Sequence, residues 1–255
     1  MKNYQVSRRA FVKKIGLGSV MAVPIPGIVS AAYKGSENRK RISLHKDDVI
    51  LFQGDSITDF HRKRSDTNFN SPAALGQGYV FNTAAQLLYD HPDKNLKIYN
   101  RGISGNKVFQ LADRWDNDTL AIKPTVLSIL VGVNDFWHTL VNGYKGTIKT
   151  YRDDYSALLE KTMQKLPGVK LIIGEPYAIT GVKSVDDKWF PEFNEYRQAA
   201  RDLAKQYGAV FIPYQAIYEK ALKEAPGSYW TLDGVHPSLA GAGLMAHAWL
   251  EALKS

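Results

Sequence analysis

Four short segments of this 255-residue chain carry side chains suited to nucleophilic chemistry, and each also has an ordinary structural reading. In Gly54-Asp55-Ser56-Ile57-Thr58 a serine follows a glycine that permits a tight turn. Alone, it reads equally well as a helix cap. Asn100-Arg101-Gly102-Ile103-Ser104-Gly105-Asn106 holds two glycines where backbone N–H groups could approach a ligand closely, or simply make a turn. In Gly132-Val133-Asn134-Asp135 the Asn and Asp are common turn formers. The last segment, Asp233-Gly234-Val235-His236-Pro237, places an Asp three residues before a His. That spacing lets the carboxylate orient one imidazole nitrogen while the other faces a nucleophile, or else the Asp caps the final helix. Together they supply the parts of acyl transfer: Ser56 as nucleophile, His236 as general base, Asp233 as its support, and candidate N–H donors for an oxyanion.

The elements that must position these segments alternate regularly. Short apolar runs at Val49–Gln53, Leu96–Asn100, Thr125–Val131, Val169–Gly174 and Ala209–Ile212 have the continuous Val/Ile/Leu character of parallel strands buried on both faces. Helical patterns occupy Tyr79–Tyr89, Val108–Ala121, Ile148–Leu166, Pro191–Tyr207 and Val235–Leu253. This order predicts a three-layer α/β/α domain on a doubly wound, five-stranded parallel sheet. In such a sheet ligands bind beyond the carboxyl ends of the strands, and three of the four segments fall just after a strand. The longest stretches without periodicity, His61–Gln77 and Ile179–Trp189, are candidate pocket loops.

The four segments, in this order, resemble the sequence blocks of the SGNH (GDSL-type) hydrolase superfamily, with Ile57 where the family name has Leu. The resemblance spans about residues 48–253 and implies a flavodoxin-like fold and a serine esterase mechanism. It further implies that the N–H groups of Ser56 and Gly105 and the side-chain amide of Asn134 form the oxyanion hole. Gly102 competes with Gly105 for the glycine donor. A finer similarity, carried by Leu75-Gly76-Gln77-Gly78-Tyr79-Val80, Asn100 to Asn106, Arg114-Trp115 and Asn134-Asp135-Phe136-Trp137, is to the branch containing bacterial acetylxylan esterases. It implies acetyl esters on xylan-derived oligo- or polysaccharides as substrates. Asp55 and Asp135 are read as holding loops. No metal or organic cofactor is expected, since His45, His61, His91, His138 and His247 are scattered.

Sugars present apolar C–H faces, so aromatic rings near the catalytic segments are candidate substrate contacts: Trp137, Trp189 and Trp230. Trp115 and Trp249 fall in helical patterns and read as packing. Two other functions compete: a lipid acylhydrolase or thioesterase, and a catalytically silent carbohydrate-binding protein.

Apolar content of 44% and charged content of 23% suit one globular domain. Of the net charge of +8, five charges lie in the first fourteen residues, at Lys2, Arg8, Arg9, Lys13 and Lys14. The remainder is too mild to argue for nucleic acid. Ser7 to Lys13 is similar to a twin-arginine export signal, followed by an apolar run from Ile15 and a small-residue site ending at Ala32. Residues 1–32 are therefore expected to be an export signal making few contacts with the core, and 33–255 a periplasmic or extracellular domain. Gly16, Gly18 and Gly27 interrupt the run, which argues against a stable membrane span. The absence of cysteine excludes disulfides. A homo-oligomer is compatible with the chain.

Overall fold

The computed structural model describes residues 25–34 and 40–254. Five parallel strands, β1 (Val49–Gly54), β2 (Lys97–Asn100), β3 (Val126–Leu130), β4 (Lys170–Gly174) and β5 (Val210–Ile212), form one sheet in the order β2-β1-β3-β4-β5. Pairs such as Ile50 with Ile98 and Val126, and Ile172 with Val210, set the register. All five predicted strands are present, and the doubly wound three-layer reading holds. The order reverses between β1 and β3, the switch point at which this class of sheet opens a crevice.

Eleven α-helices are described: α1 (Ile25–Lys34), α2 (Ser56–Asp59), α3 (Pro72–Leu75), α4 (Tyr79–Asp90), α5 (Val108–Asp113), α6 (Val133–Val141), α7 (Ile148–Lys165), α8 (Phe193–Gln206), α9 (Tyr214–Ala221), α10 (Gly227–Trp230) and α11 (Leu239–Leu250). Helices α1, α4, α9 and α11 cover one face; α5, α7 and α8 cover the other. Adjacent strand residues serve opposite layers, as the period-2 alternation requires. Phe52 packs its ring against Tyr79 and Trp249. The next residue, Gln53, turns to the other side and donates to Thr119 Oγ1 at 2.8 Å. Trp249 Nε1–H donates to Ser128 Oγ at 3.0 Å and Trp115 Nε1–H to Thr162 Oγ1 at 2.9 Å, so both indoles are packing residues with satisfied donors.

Three differences from the sequence reading have local causes. The helix expected over Val108–Ala121 breaks at Arg114, and a π turn over Asp116–Leu120 follows. The extra residue of a π turn re-aims side chains, and Arg114 is turned toward the loops above the sheet. Asn134 and Asp135 lie in the first turn of α6 instead of forming a turn, and Asp135 is held there by the N–H of Val108. The last helix begins at Leu239 rather than Val235, since Ser238 caps it by accepting from Gly241 N–H at 3.1 Å.

The paired arginines of the expected export signal lie outside the described residues. The expectation of few core contacts up to Ala32 is not met at the end of that segment. Ile28, Val29 and Ala32 form one apolar stripe of α1 and are buried against α9 and α11. Tyr33 Oη donates to Ala248 O at 2.7 Å.

Candidate active site

The four sequence blocks meet at the carboxyl edge of the sheet. Ser56 stands at the start of α2, directly after β1. Its Oγ is 2.8 Å from His236 Nε2, and His236 Nδ1 is 2.8 Å from Asp233 Oδ2. The second carboxylate oxygen of Asp233 accepts from the backbone N–H groups of Val235 and His236 at 3.0 and 2.8 Å. This hydrogen-bonded turn fixes Asp233 and His236 relative to each other before Ser56 is involved. With Nδ1–H donating to Asp233, Nε2 is left to accept the serine proton.

Electrostatics follow from that wiring. Burial alone would raise the Asp233 carboxyl, but the bonds from the His236 ring and from two backbone N–H groups outweigh it and bring it down to about 2. His236 is raised above the ordinary imidazole value, chiefly by its bond to Asp233, against the opposing effect of burial.

Asp55 and Asp135 behave differently. Asp55 caps α2 by accepting from Ile57 N–H at 3.0 Å, and Asp135 accepts from Val108 N–H at 3.1 Å, tying α6 to α5. Both are buried, and each leaves one carboxylate oxygen without a partner among the described residues. Burial pushes each carboxyl up to about 7, and the charge of Asp55 adds to the rise at Asp135. Both therefore serve as loop fasteners.

Gly102 and Gly105 separate cleanly. The Gly102 N–H already donates to Asn100 Oδ1 at 2.9 Å, and a Cβ there would stand 2.4 Å from Asp59 N. Gly102 is thus a close-packing residue. Gly105 has φ +81°, and its N–H makes no hydrogen bond to the protein among the described residues. The same is true of the Ser56 N–H. Asn134 spends one amide N–H on Asn106 O at 3.2 Å and keeps the other. Three unspent donors thus follow β1, β2 and β3, at the start of α2, on the loop after β2 and in the first turn of α6.

A second set of side chains, absent from the sequence reading as functional, holds these loops in place. Asn100 Nδ2 donates to Thr58 O and Leu75 O at 2.7 and 2.8 Å, tying the end of β2 to α2 and α3. Asp59 accepts from Ser104 N–H and Ser104 Oγ at 2.9 and 2.8 Å, and pairs with Arg64. The Arg64 and Ser104 bonds overcome burial and keep the Asp59 carboxyl below its ordinary range. Arg114 binds Asn106 Oδ1, Arg101 O and Gln53 Oε1 at 2.9, 2.8 and 3.0 Å.

Of the three candidate substrate-contacting tryptophans, one is placed for the role. The Trp137 ring is partly exposed and lies 6.4 Å from the His236 ring. Trp189 is a correction: it is 1% exposed, packed behind Trp137 and against Phe136 and Phe193, with Nε1–H donating to Ser184 O. Trp230 is another: it is 3% exposed, and its Nε1–H is spent on Ala221 O and Ala225 O. Both rings are large enough to bury more usefully in the core than at a wet pocket edge.

A serine–histidine–aspartate relay at the switch point of a flavodoxin-like sheet defines a serine hydrolase architecture. Residues 52–244 match the GDSL-like lipase/acylhydrolase family, and the chain belongs to that family. It is a carboxylic ester hydrolase. An acetylxylan esterase of Geobacillus stearothermophilus is 34% identical over 203 residues, covering 79% of this chain and 91% of that protein. Its crystal structure superposes with a TM-score of 0.74 at 29% identity, covering 84% of this chain and all of the other. The structure of a candidate GDSL-like lipase from Parabacteroides merdae superposes with a TM-score of 0.82 at 51% identity, covering 83% of this chain and 98% of its own.

Proposed function

We propose that this esterase removes acetyl groups from carbohydrates such as xylan fragments, through an acyl-enzyme on Ser56. The observation that carries the reading is the Ser56–His236–Asp233 relay, with the Trp137 ring beside His236. Ser56 Oγ bonds to the ester carbonyl carbon as His236 Nε2 takes the serine proton. The carbonyl oxygen becomes an oxyanion and is held by Ser56 N–H, Gly105 N–H and the free N–H of Asn134. As the carbon–oxygen bond to the sugar breaks, His236 returns the proton to the leaving alcohol oxygen. Water then attacks the acetyl-serine with His236 again as base; the bond to Ser56 Oγ breaks, His236 returns the proton to Oγ, and acetate leaves. Asp233 stays ionised throughout and supports the transient imidazolium.

The indole face of Trp137 suits the C–H face of a sugar, and the similarity to an acetylxylan esterase points the same way. The protein acts outside the cytoplasm in this reading, exported by the basic, apolar N-terminal segment. The contacts of Ile28, Val29 and Ala32 with the domain favour a mature chain that keeps α1, so export and the site of processing are separate questions. N-terminal sequencing of the periplasmic or secreted protein answers both.

The deciding experiment measures acetate release from acetylated xylan, pectin and mannan fragments, with Ser56→Ala as control, beside a series of aryl esters of increasing acyl length. Release from sugars that depends on Ser56, with acetyl preferred over long acyl groups, supports the reading. Preference for long acyl chains would make the enzyme a lipid acylhydrolase or thioesterase. Sugar binding without hydrolysis would make it a binding protein.

A further inference from the structure

Beside the oxyanion donors lies a polar cluster that the ester chemistry does not use. Lys107, on the loop that presents Gly105, is only 8% exposed. Its Nζ is 3.0 Å from His138 Nδ1 and lies over the rings of Tyr144 and Phe109, 5.0 and 5.6 Å from their centroids. Those two rings stack on each other at 6.0 Å. Burial lowers the Lys107 ammonium from its ordinary value, with Asp135 opposing the shift, and the two aromatic faces favour the charged form; an ammonium can only donate. His138 Nδ1 must then accept, which places the ring proton on Nε2 and leaves the imidazole neutral.

The His138 ring lies beside the Gly105 loop. Cε1 of His138, the ring carbon between Nδ1 and Nε2, stands 4.0 Å from where a Cβ on Gly105 would be. Nε2 has no hydrogen-bond partner among the described residues. His138 also follows Trp137, whose ring lies against His236. With three other donors proposed for the oxyanion, the Nε2–H is left for another oxygen of the substrate. An acetylated sugar carries hydroxyl and ring oxygens around its ester; a simple aryl acetate does not.

We propose that His138 is a substrate-binding residue whose Nε2–H donates to an oxygen of the sugar part of the ester, and that Lys107 is its positioning residue, fixing that tautomer. The proposal rests on the carbohydrate reading above. It makes Lys107 part of specificity through a side chain thirty-one residues away.

The test is the ratio of kcat/KM for acetylated xylotriose to kcat/KM for 4-nitrophenyl acetate. One neutral hydrogen bond corresponds to a factor of about three to ten. His138→Phe should lower the ratio by that factor, and His138→Gln, whose amide can donate from a similar place, should recover most of it. Lys107→Met should lower it in the same direction. Long-range 15N–1H NMR of the wild-type protein should show His138 as the Nε2–H tautomer, with that preference lost in Lys107→Met. An unchanged ratio in His138→Phe, or an Nδ1–H tautomer in the wild type, would overturn the proposal. Wild-type enzyme that releases no acetate from the sugar instead overturns the carbohydrate reading, an outcome visible before any variant is made.

Discussion

Arg114 Nε–H donates to Asn106 Oδ1 at 2.9 Å, and the same guanidinium reaches Arg101 O at 2.8 Å. One planar side chain therefore clamps both flanks of the loop that carries Gly105, and a third bond, to Gln53 Oε1, anchors the clamp to the end of β1. Lysine can supply a charge there but not the fork. Arg114→Lys should lower kcat by about tenfold or more while KM changes less, as expected when an interaction made mainly in the transition state is weakened. A rise in KM at constant kcat would show that the clamp matters for binding instead.

The relay and the oxyanion donors predict two graded losses. Ser56→Ala should reduce kcat by about four orders of magnitude or more, with the melting temperature little changed. Asn134→Ala should cost about two to three orders of magnitude, the usual consequence of removing one oxyanion donor. Gly102→Ala should act differently, lowering stability, since its added methyl meets backbone 2.4 Å away. Steady-state kinetics and thermal unfolding on the same preparations separate these outcomes.

His236 works as a base only when neutral. Because its bond to Asp233 raises it above the ordinary value, activity should fall on the acid side with a midpoint above that value of 6.5. Asp233→Asn removes the partner that favours the imidazolium, so the midpoint of kcat/KM should move to lower pH even as the maximum rate drops. A midpoint that stays in place would mean that another group governs the limb.

Asp135 offers a stability test with the opposite sign from most carboxylates. Its folded carboxyl is raised to about 7 from an ordinary 3.8, so between those values the unfolded chain is ionised while the folded one still holds its proton. Stability therefore declines as pH rises across that window. Asp135→Asn keeps the acceptor for Val108 N–H and removes the buried charge. It should be the more stable protein at about pH 8, by about 1–3 kcal/mol, with the advantage shrinking toward about pH 4. Chemical denaturation at the two pH values measures the difference.

Trp137 and Trp189 are neighbours with separate duties, their rings 5.6 Å apart. Trp137→Ala should raise KM for acetylated oligosaccharides several-fold with little effect on folding. Trp189→Ala should destabilise by about 3–5 kcal/mol, because it leaves a cavity in the core. Substrate titrations and denaturant midpoints on both variants test the contrast.

Much of the site was legible in the sequence, because Ser56, Asp233 and His236 lie in compact blocks whose order resembles one family; Gly105 and Asn134 were implied by that resemblance. The strands were equally legible, since a buried parallel strand has little choice but continuous apolar residues. What stayed hidden depends on distance in sequence. Arg114 stood out only as part of the Arg114-Trp115 motif, with no role attached, and its reach to Asn106 and Arg101 depends on the break after α5. Lys107 and His138 meet only because β2 and β3 both flank β1. Asn134-Asp135 misled because the same residues favour turns and helix starts. An indole carries no mark of which side of a wall it will occupy, so Trp137, Trp189 and Trp230 could not be told apart.

Ile42 and the last turn of the chain are joined by two backbone bonds, Ile42 N–H to Ala252 O and Lys254 N–H to Ile42 O, beside the start of β4, where Lys170 Nζ meets Ser43 O. The seam of the domain thus sits at one rim of the sheet and its chemistry at the other, roughly 17 Å away along a five-residue strand. A carbohydrate-binding module, a surface anchor or an immobilisation tether spliced at that seam would leave the mouth of the site facing outward.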